Sequence, residues 1–152
     1  MPRLKVQGYL LGFLFTQAFF FDIVTHKEER FGGVAHMCTK AALDAITVSV
    51  KNEALRIFAD KLKRVVLYGS YARGESEAAS DIDIMLLLDI SAETLGKYRS
   101  EIARVASRLS LESEDCVTVS IALQDIETFD KYKSALPFYS NVDSEGVVVY
   151  AA

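Results

Sequence analysis

Val65-Val66-Leu67-Tyr68-Gly69-Ser70-Tyr71-Ala72-Arg73-Gly74-Glu75-Ser76-Glu77-Ala78-Ala79-Ser80-Asp81-Ile82-Asp83-Ile84 joins two apolar runs through a short polar one. The first run ends at Tyr68. The chain then breaks at Gly69-Ser70, crosses a small and charged segment, and resumes as a second apolar run from Ile82 to Leu88. Strand side chains alternate between faces, so Asp81 and Asp83 share one face of the second strand while Ile82 and Ile84 point to a core. Two carboxylates held this close repel by about 1 kcal/mol at 4 Å in water and several-fold more in a partly dry site. A shared proton or a divalent cation relieves that repulsion. All-oxygen ligands suit Mg²⁺ or Mn²⁺, which fill their remaining positions with water and phosphate oxygens.

The other end of the stretch is suited to an anion. A strand ending in Gly69 can turn sharply and bring backbone close to a ligand. The residues that follow would open a helix, whose free N–H groups favour negative charge. Ser70 adds a hydroxyl, and Arg73 a guanidinium fork matched to phosphate oxygens. An alternative use of Arg73 is pairing with Glu75 or Glu77. Phosphate donors at one end and metal ligands at the other point to a metal-bound nucleoside triphosphate. The stretch is not a P-loop, because no Gly-Lys-Ser/Thr follows the glycine.

Ten residues separate Ser70 from Asp81, giving G-S-x10-D-x-D, with Ala72-Arg73-Gly74 inside the gap and Ser80 just before the acids. This pattern resembles the minimal nucleotidyltransferases of the DNA polymerase β superfamily. The resemblance implies catalytic and metal-holding roles for Asp81 and Asp83. It implies nucleotide binding by Gly69, Ser70, Arg73 and Ser80. It further implies a Mg²⁺ or Mn²⁺ cofactor and transfer of a nucleoside monophosphate, AMP from ATP being the leading case. Small members of this kind resemble the antitoxin half of HEPN–MNT toxin–antitoxin pairs, in which a tyrosine of the HEPN-type toxin is the acceptor. Two other functions stay open: a nucleotide-binding antitoxin that acts by contact alone, and an antibiotic nucleotidyltransferase, which would ordinarily carry a helical substrate domain.

The pattern breaks at one place. Enzymes resembling this family usually carry a third carboxylate on the strand after the second helix. Here Val117, Val119 and Ile121 would face the core, and Thr118 and Ser120 would face the site. Neither is acidic. Glu114 and Asp115 precede that strand and Asp125 follows it, and acids at such places commonly serve turns and caps.

Outward from the motif, Thr39 is placed to cap a helix carrying Leu43, Ile46, Val50, Ala54, Ile57 and Leu62 on one side, ending near Leu62. Met85-Leu86-Leu87-Leu88 is continuously apolar, as in a central strand buried on both faces. Ser91 is placed to cap a second helix in which Leu95, Tyr98, Ile102, Val105 and Leu109 form a core stripe. A third strand spans Cys116 to Leu123, a short helix Ile126 to Ala135 stops before Pro137, and a last strand spans Val147 to Tyr150. The expected fold is a small α/β sandwich: a mixed sheet with helices on one face and the site on the other. Phe129, Tyr132, Phe138 and Tyr139 are expected mostly under the last strand, with an oligomer interface as the other use.

At 152 residues and 51% apolar content the chain makes one domain with a substantial core. A net charge of −4 argues against a nonspecific nucleic-acid binder. Cys38 and Cys116 are far apart and read as free thiols of a cytoplasmic protein; His26 and His36 lack ligand spacing. Residues 1–36 stand apart from the domain, 37–152. Val6 to Phe21 is uncharged and aromatic, yet short for a membrane span and interrupted by Gln7, Thr16 and Gln17. No small-residue cleavage site follows it, as a signal peptide would need. Gly32-Gly33-Val34-Ala35-His36-Met37 can be back-translated with a GGAGG ribosome-binding sequence just upstream of an ATG. The functional protein therefore either starts at Met37 or carries a genuine apolar extension.

Overall fold

The computed structural model describes residues 38–78, 80–113 and 117–152. The extension 1–36, along with Glu114, Asp115 and Cys116, lies outside the described residues. The elements are α1 (Lys40–Phe58), β1 (Leu62–Tyr68), α2 (Ser70–Arg73), β2 (Ile82–Leu88), α3 (Ala92–Leu95), α4 (Arg99–Glu112), β3 (Val119–Asp125), α5 (Ile126–Tyr132), α6 (Pro137–Glu145) and β4 (Val147–Ala151). The sheet order is β3-β2-β1-β4. β1 runs antiparallel to β2 and to β4, while β2 and β3 are parallel, so the sheet is mixed as expected. No described helix is long and apolar enough to cross a membrane.

β2 is the spine of the fold. Ile82, Ile84 and Leu86 to Leu88 are fully buried, and Met85 nearly so. On one face of the sheet Val65, Leu67, Ile82, Ile84, Leu86, Leu88 and Val119 pack against Val50, Ala54 and Phe58 of α1 and Ile102, Val105 and Leu109 of α4. On the other face Val66, Met85 and Leu87 pack against Phe129 of α5 and Val142 of α6. The long helices thus share one face, and the short helices α5 and α6 cover part of the face that carries Asp83. Each fully buried aliphatic side chain contributes roughly 1.5–3 kcal/mol by burial, so a spine with two covered faces holds the acid-bearing end of β2 on a rigid base.

Thr39 caps α1, its hydroxyl accepting the Ala42 N–H at 3.2 Å. α1 ends at Phe58 rather than Leu62, because Ala59 takes a positive φ of 48° and a 3-10 turn, Ala59–Lys61, follows. Leu62 therefore begins β1, three residues before the expected strand start. The second helix divides: α3 passes through a 3-10 turn, Gly96–Tyr98, into α4. Ser91 stands at the head of α3, yet its hydroxyl bonds Thr94 Oγ1 at 3.1 Å and caps no backbone N–H. β3 runs two residues further than expected, to Asp125. The sequence reading missed α6. Its signal was Pro137 at the first helical position, where a missing N–H costs nothing.

Candidate active site

β1 and β2 bring the two ends of the motif together. Tyr68, the last residue of β1, pairs with Asp83 on β2, and Asp83 pairs on its other side with Ser120 of β3. Asp83 is therefore the middle of a cross-strand row, Tyr68–Asp83–Ser120, on the face opposite the long helices. Gly69 follows with φ 77° and ψ −154°, a region essentially confined to glycine. A Cβ at Gly69 would stand 2.6 Å from Asp83 Oδ2. Two constraints, the backbone angle and the carboxylate packed against the Cα, thus demand glycine here.

Ser70 starts α2, a single turn in which the Arg73 N–H donates to the Gly69 carbonyl at 3.3 Å. Gly74 ends the turn in the left-handed conformation at φ 69°, and the Glu75 N–H donates to the Ser70 carbonyl at 2.9 Å. The Ala72-Arg73-Gly74 sequence is thereby the means of reversing the chain after the turn. Ser80 closes the connection: its hydroxyl accepts the Glu77 N–H at 2.8 Å, and its own N–H donates to the Glu77 carbonyl at 3.0 Å. Gly69 borders Asp83, whereas Ser80 is engaged with the loop backbone.

Burial, and next the negative charge of Asp81, push the Asp83 carboxyl up to about 6; a hydrogen bond from Ser120 pulls the other way. Asp81 is exposed just outside the strand. The same burial, with Asp83 as neighbour, raises the Tyr68 phenol, and Phe138 packs edge-on against the Tyr68 ring at 5.6 Å. Arg73 is engaged on the surface: Nε meets Glu75 at 2.7 Å and Nη1 meets Glu145 of α6 at 3.4 Å. Pairing with Glu75 was foreseen. Glu145, 72 residues away in sequence, carried no signal that alternation or spacing could detect.

No group of three or more His, Cys, Asp or Glu side chains able to hold a metal occurs among the described residues. Two carboxylates with a nearby turn for phosphate still fit Mg²⁺ or Mn²⁺, which take one or two protein carboxylates and complete their shell with water and substrate phosphate. Asp125 is excluded as a further ligand. It is buried, caps α5 by accepting the Thr128 N–H at 3.1 Å, and pairs with Leu88 at the far end of β2. Five strand residues put it roughly 16 Å from Ser120. A shallow groove of about 330 Å³ between α1 and α4 is lined by Glu53, Arg56 and Arg108. These three side chains are engaged with one another, and the groove lies among the long helices, away from the acids.

A paired-acid strand end beside a glycine-serine turn, on a mixed sheet, defines a nucleotidyltransferase. The chain belongs to the nucleotidyltransferase domain family, whose model matches residues 50–140. It is 35% identical to "Putative protein adenylyltransferase MJ0141" of Methanocaldococcus jannaschii over 99 residues, 65% of this chain and 90% of that one. A second relative from the same organism, "Putative protein adenylyltransferase MJ0604", is 31% identical over 90 residues, 59% of this chain and 80% of that one. Among solved structures, a chain of a toxin–antitoxin structure with AMP-PNP is similar at 20% identity and a TM-score of 0.46, covering 70% of this chain and 73% of that chain.

Proposed function

We propose that this chain is a Mg²⁺-dependent adenylyltransferase that moves AMP from ATP to a hydroxyl of a protein acceptor. The observation that carries the reading is the convergence of Asp83 with the Gly69 turn, the glycine Cα lying against the Asp83 carboxylate at the head of β2. The names of the two archaeal relatives support the protein acceptor and the adenylyl group. The resemblance of the G-s-x10-D-x-D motif to HEPN–MNT antitoxins supports a HEPN-type toxin as that acceptor, in the cytoplasm.

In this reading the acceptor oxygen attacks the α-phosphorus, the bond from that phosphorus to the bridging oxygen breaks, and pyrophosphate leaves with the electron pair. The acceptor proton goes to water. Asp81 and Asp83 hold the cation, which neutralises triphosphate charge when bound. The Gly69 backbone and the Ser70 hydroxyl orient the terminal phosphates. Arg73 exchanges its carboxylate partners for phosphate oxygens. Ser80 acts by holding the loop that delivers Asp81. Acceleration comes from positioning and electrostatics rather than covalent chemistry by the protein.

Incubation with Mg²⁺, a HEPN-type toxin protein and ATP labelled on the α or the γ phosphate tests this. Transfer of α label alone, lost in Asp83→Asn, is expected. Transfer of γ label, or α transfer that survives Asp83→Asn, overturns it. A second reading, an antitoxin that binds nucleotide and blocks its partner by contact, is favoured by Ser120 standing beside Asp83 where a further acid would help the acceptor. That reading expects a stable complex and Mg²⁺-dependent ATP binding with no label transferred.

A further inference from the structure

Asp83 is held from three sides. Tyr68 flanks it on β1, Ser120 flanks it on β3, and Gly69 abuts its Oδ2 atom. Gly69 offers the carboxylate packing alone, and Tyr68 meets Asp83 through the backbone ladder. Ser120 hydrogen-bonds the carboxylate, its hydroxyl having one proton to donate where an ionised carboxylate only accepts. The serine is well placed for it. β2 and β3 pair in parallel from Ile82↔Val119 to Leu88↔Asp125, so Ser120 stays beside Asp83 by virtue of the whole ladder. Its backbone neighbours Val119 and Ile121 point to the opposite face, where Val119 is fully buried.

We propose that Ser120 is a positioning residue for the acid pair: its hydroxyl, in register with Asp83 and donating to one carboxylate oxygen, leaves the other aimed at a divalent cation. The inference rests on the function proposed above and goes beyond it by assigning a role to a residue that the acid motif does not contain. A carboxylate oriented by a hydrogen bond from a neighbouring strand binds metal more tightly, and loss of such a partner typically costs about 10–100-fold in affinity.

The experiment is Mn²⁺ binding to the full chain, followed by electron paramagnetic resonance with and without ATP, for wild type, Ser120→Ala and Ser120→Thr. Ser120→Ala is expected to weaken Mn²⁺ roughly 10-fold or more, with the chain still unfolding cooperatively in EDTA. Ser120→Thr, which keeps the hydroxyl, is expected to restore binding. In label transfer the same loss appears as a higher Mn²⁺ requirement at unchanged KM for ATP. Equal Mn²⁺ affinity in wild type and Ser120→Ala overturns the proposal, as does failure of Ser120→Thr to recover binding while folded. A wild type that binds no Mn²⁺ in either condition defeats the proposed function itself, and with it the role of Ser120.

Discussion

Gly69 lies so close to Asp83 that a methyl group on its Cα would stand 2.6 Å from the Oδ2 atom. The end of β1 and the acid of β2 are therefore one steric unit. The turn cannot accept a side chain without moving the carboxylate. Gly69→Ala should lose stability by roughly 1–3 kcal/mol for the backbone angle alone. It should also lose Mg²⁺-dependent ATP binding, because the Asp83 carboxylate must swing away. Chemical denaturation and isothermal titration check the two effects separately. A variant with lowered stability but intact binding would show that the close approach serves the turn only.

Asp83 gives the chain an unusual pH dependence. Its pKa rises in the folded state from 3.8 to about 6. Between those values the folded chain keeps a proton that the unfolded chain has lost. Stability accordingly falls as pH rises from about 4 to about 6 and is level above that, with a total loss on the order of 2–3 kcal/mol. Asp83→Asn removes the charge. It should be more stable than wild type at pH 7, show a flatter profile from pH 4 to 6, and transfer no AMP. Denaturant midpoints at several pH values check this. Mg²⁺ at saturating concentration should recover part of the wild-type loss above pH 6.

Arg73 meets Glu75 and Glu145 on the surface, and exposed pairs of this kind contribute little to stability. Their consequence lies in competition: both carboxylates occupy the guanidinium that a triphosphate would use. Glu145→Gln should tighten ATP binding a few-fold with little change in unfolding midpoint, and Arg73→Ala should weaken it. ATP titrations at low and high salt check this, and the Glu145→Gln gain should shrink as salt screens the charges.

Asp125 offers the opposite separation. It caps α5 at the far end of the sheet from the acid pair. Asp125→Ala should lower stability by roughly 0.5–2 kcal/mol and leave label transfer per folded molecule unchanged. Thermal unfolding with activity assayed well below the midpoint checks both halves. A loss of transfer at full folding would bring Asp125 back as a site residue.

The acid pair, the glycine turn and the central strand were legible in the order of residues, because each depends on short-range rules. Alternation sets Asp83 on the face opposite Ile82 and Ile84, a glycine permits the turn, and an unbroken apolar run from Met85 to Leu88 can be satisfied only by burial on both sides. The row Tyr68–Asp83–Ser120 was half legible: alternation turned Ser120 toward the site, but the parallel register that sets it beside Asp83 is a property of two strands separated by a helix. The ion pair from Arg73 to Glu145 was not legible at all. It depends on where α6 ends, and α6 is held by Val142 against Val66 and by Phe138 against Tyr68, contacts between segments far apart in sequence. The proximity of Asp83 to Gly69, and the raised carboxyl that follows from burial, were likewise decided by packing. The sequence determined which chemical groups would be available at the head of β2; only the folded sheet decided how dry, how crowded and how oriented they are.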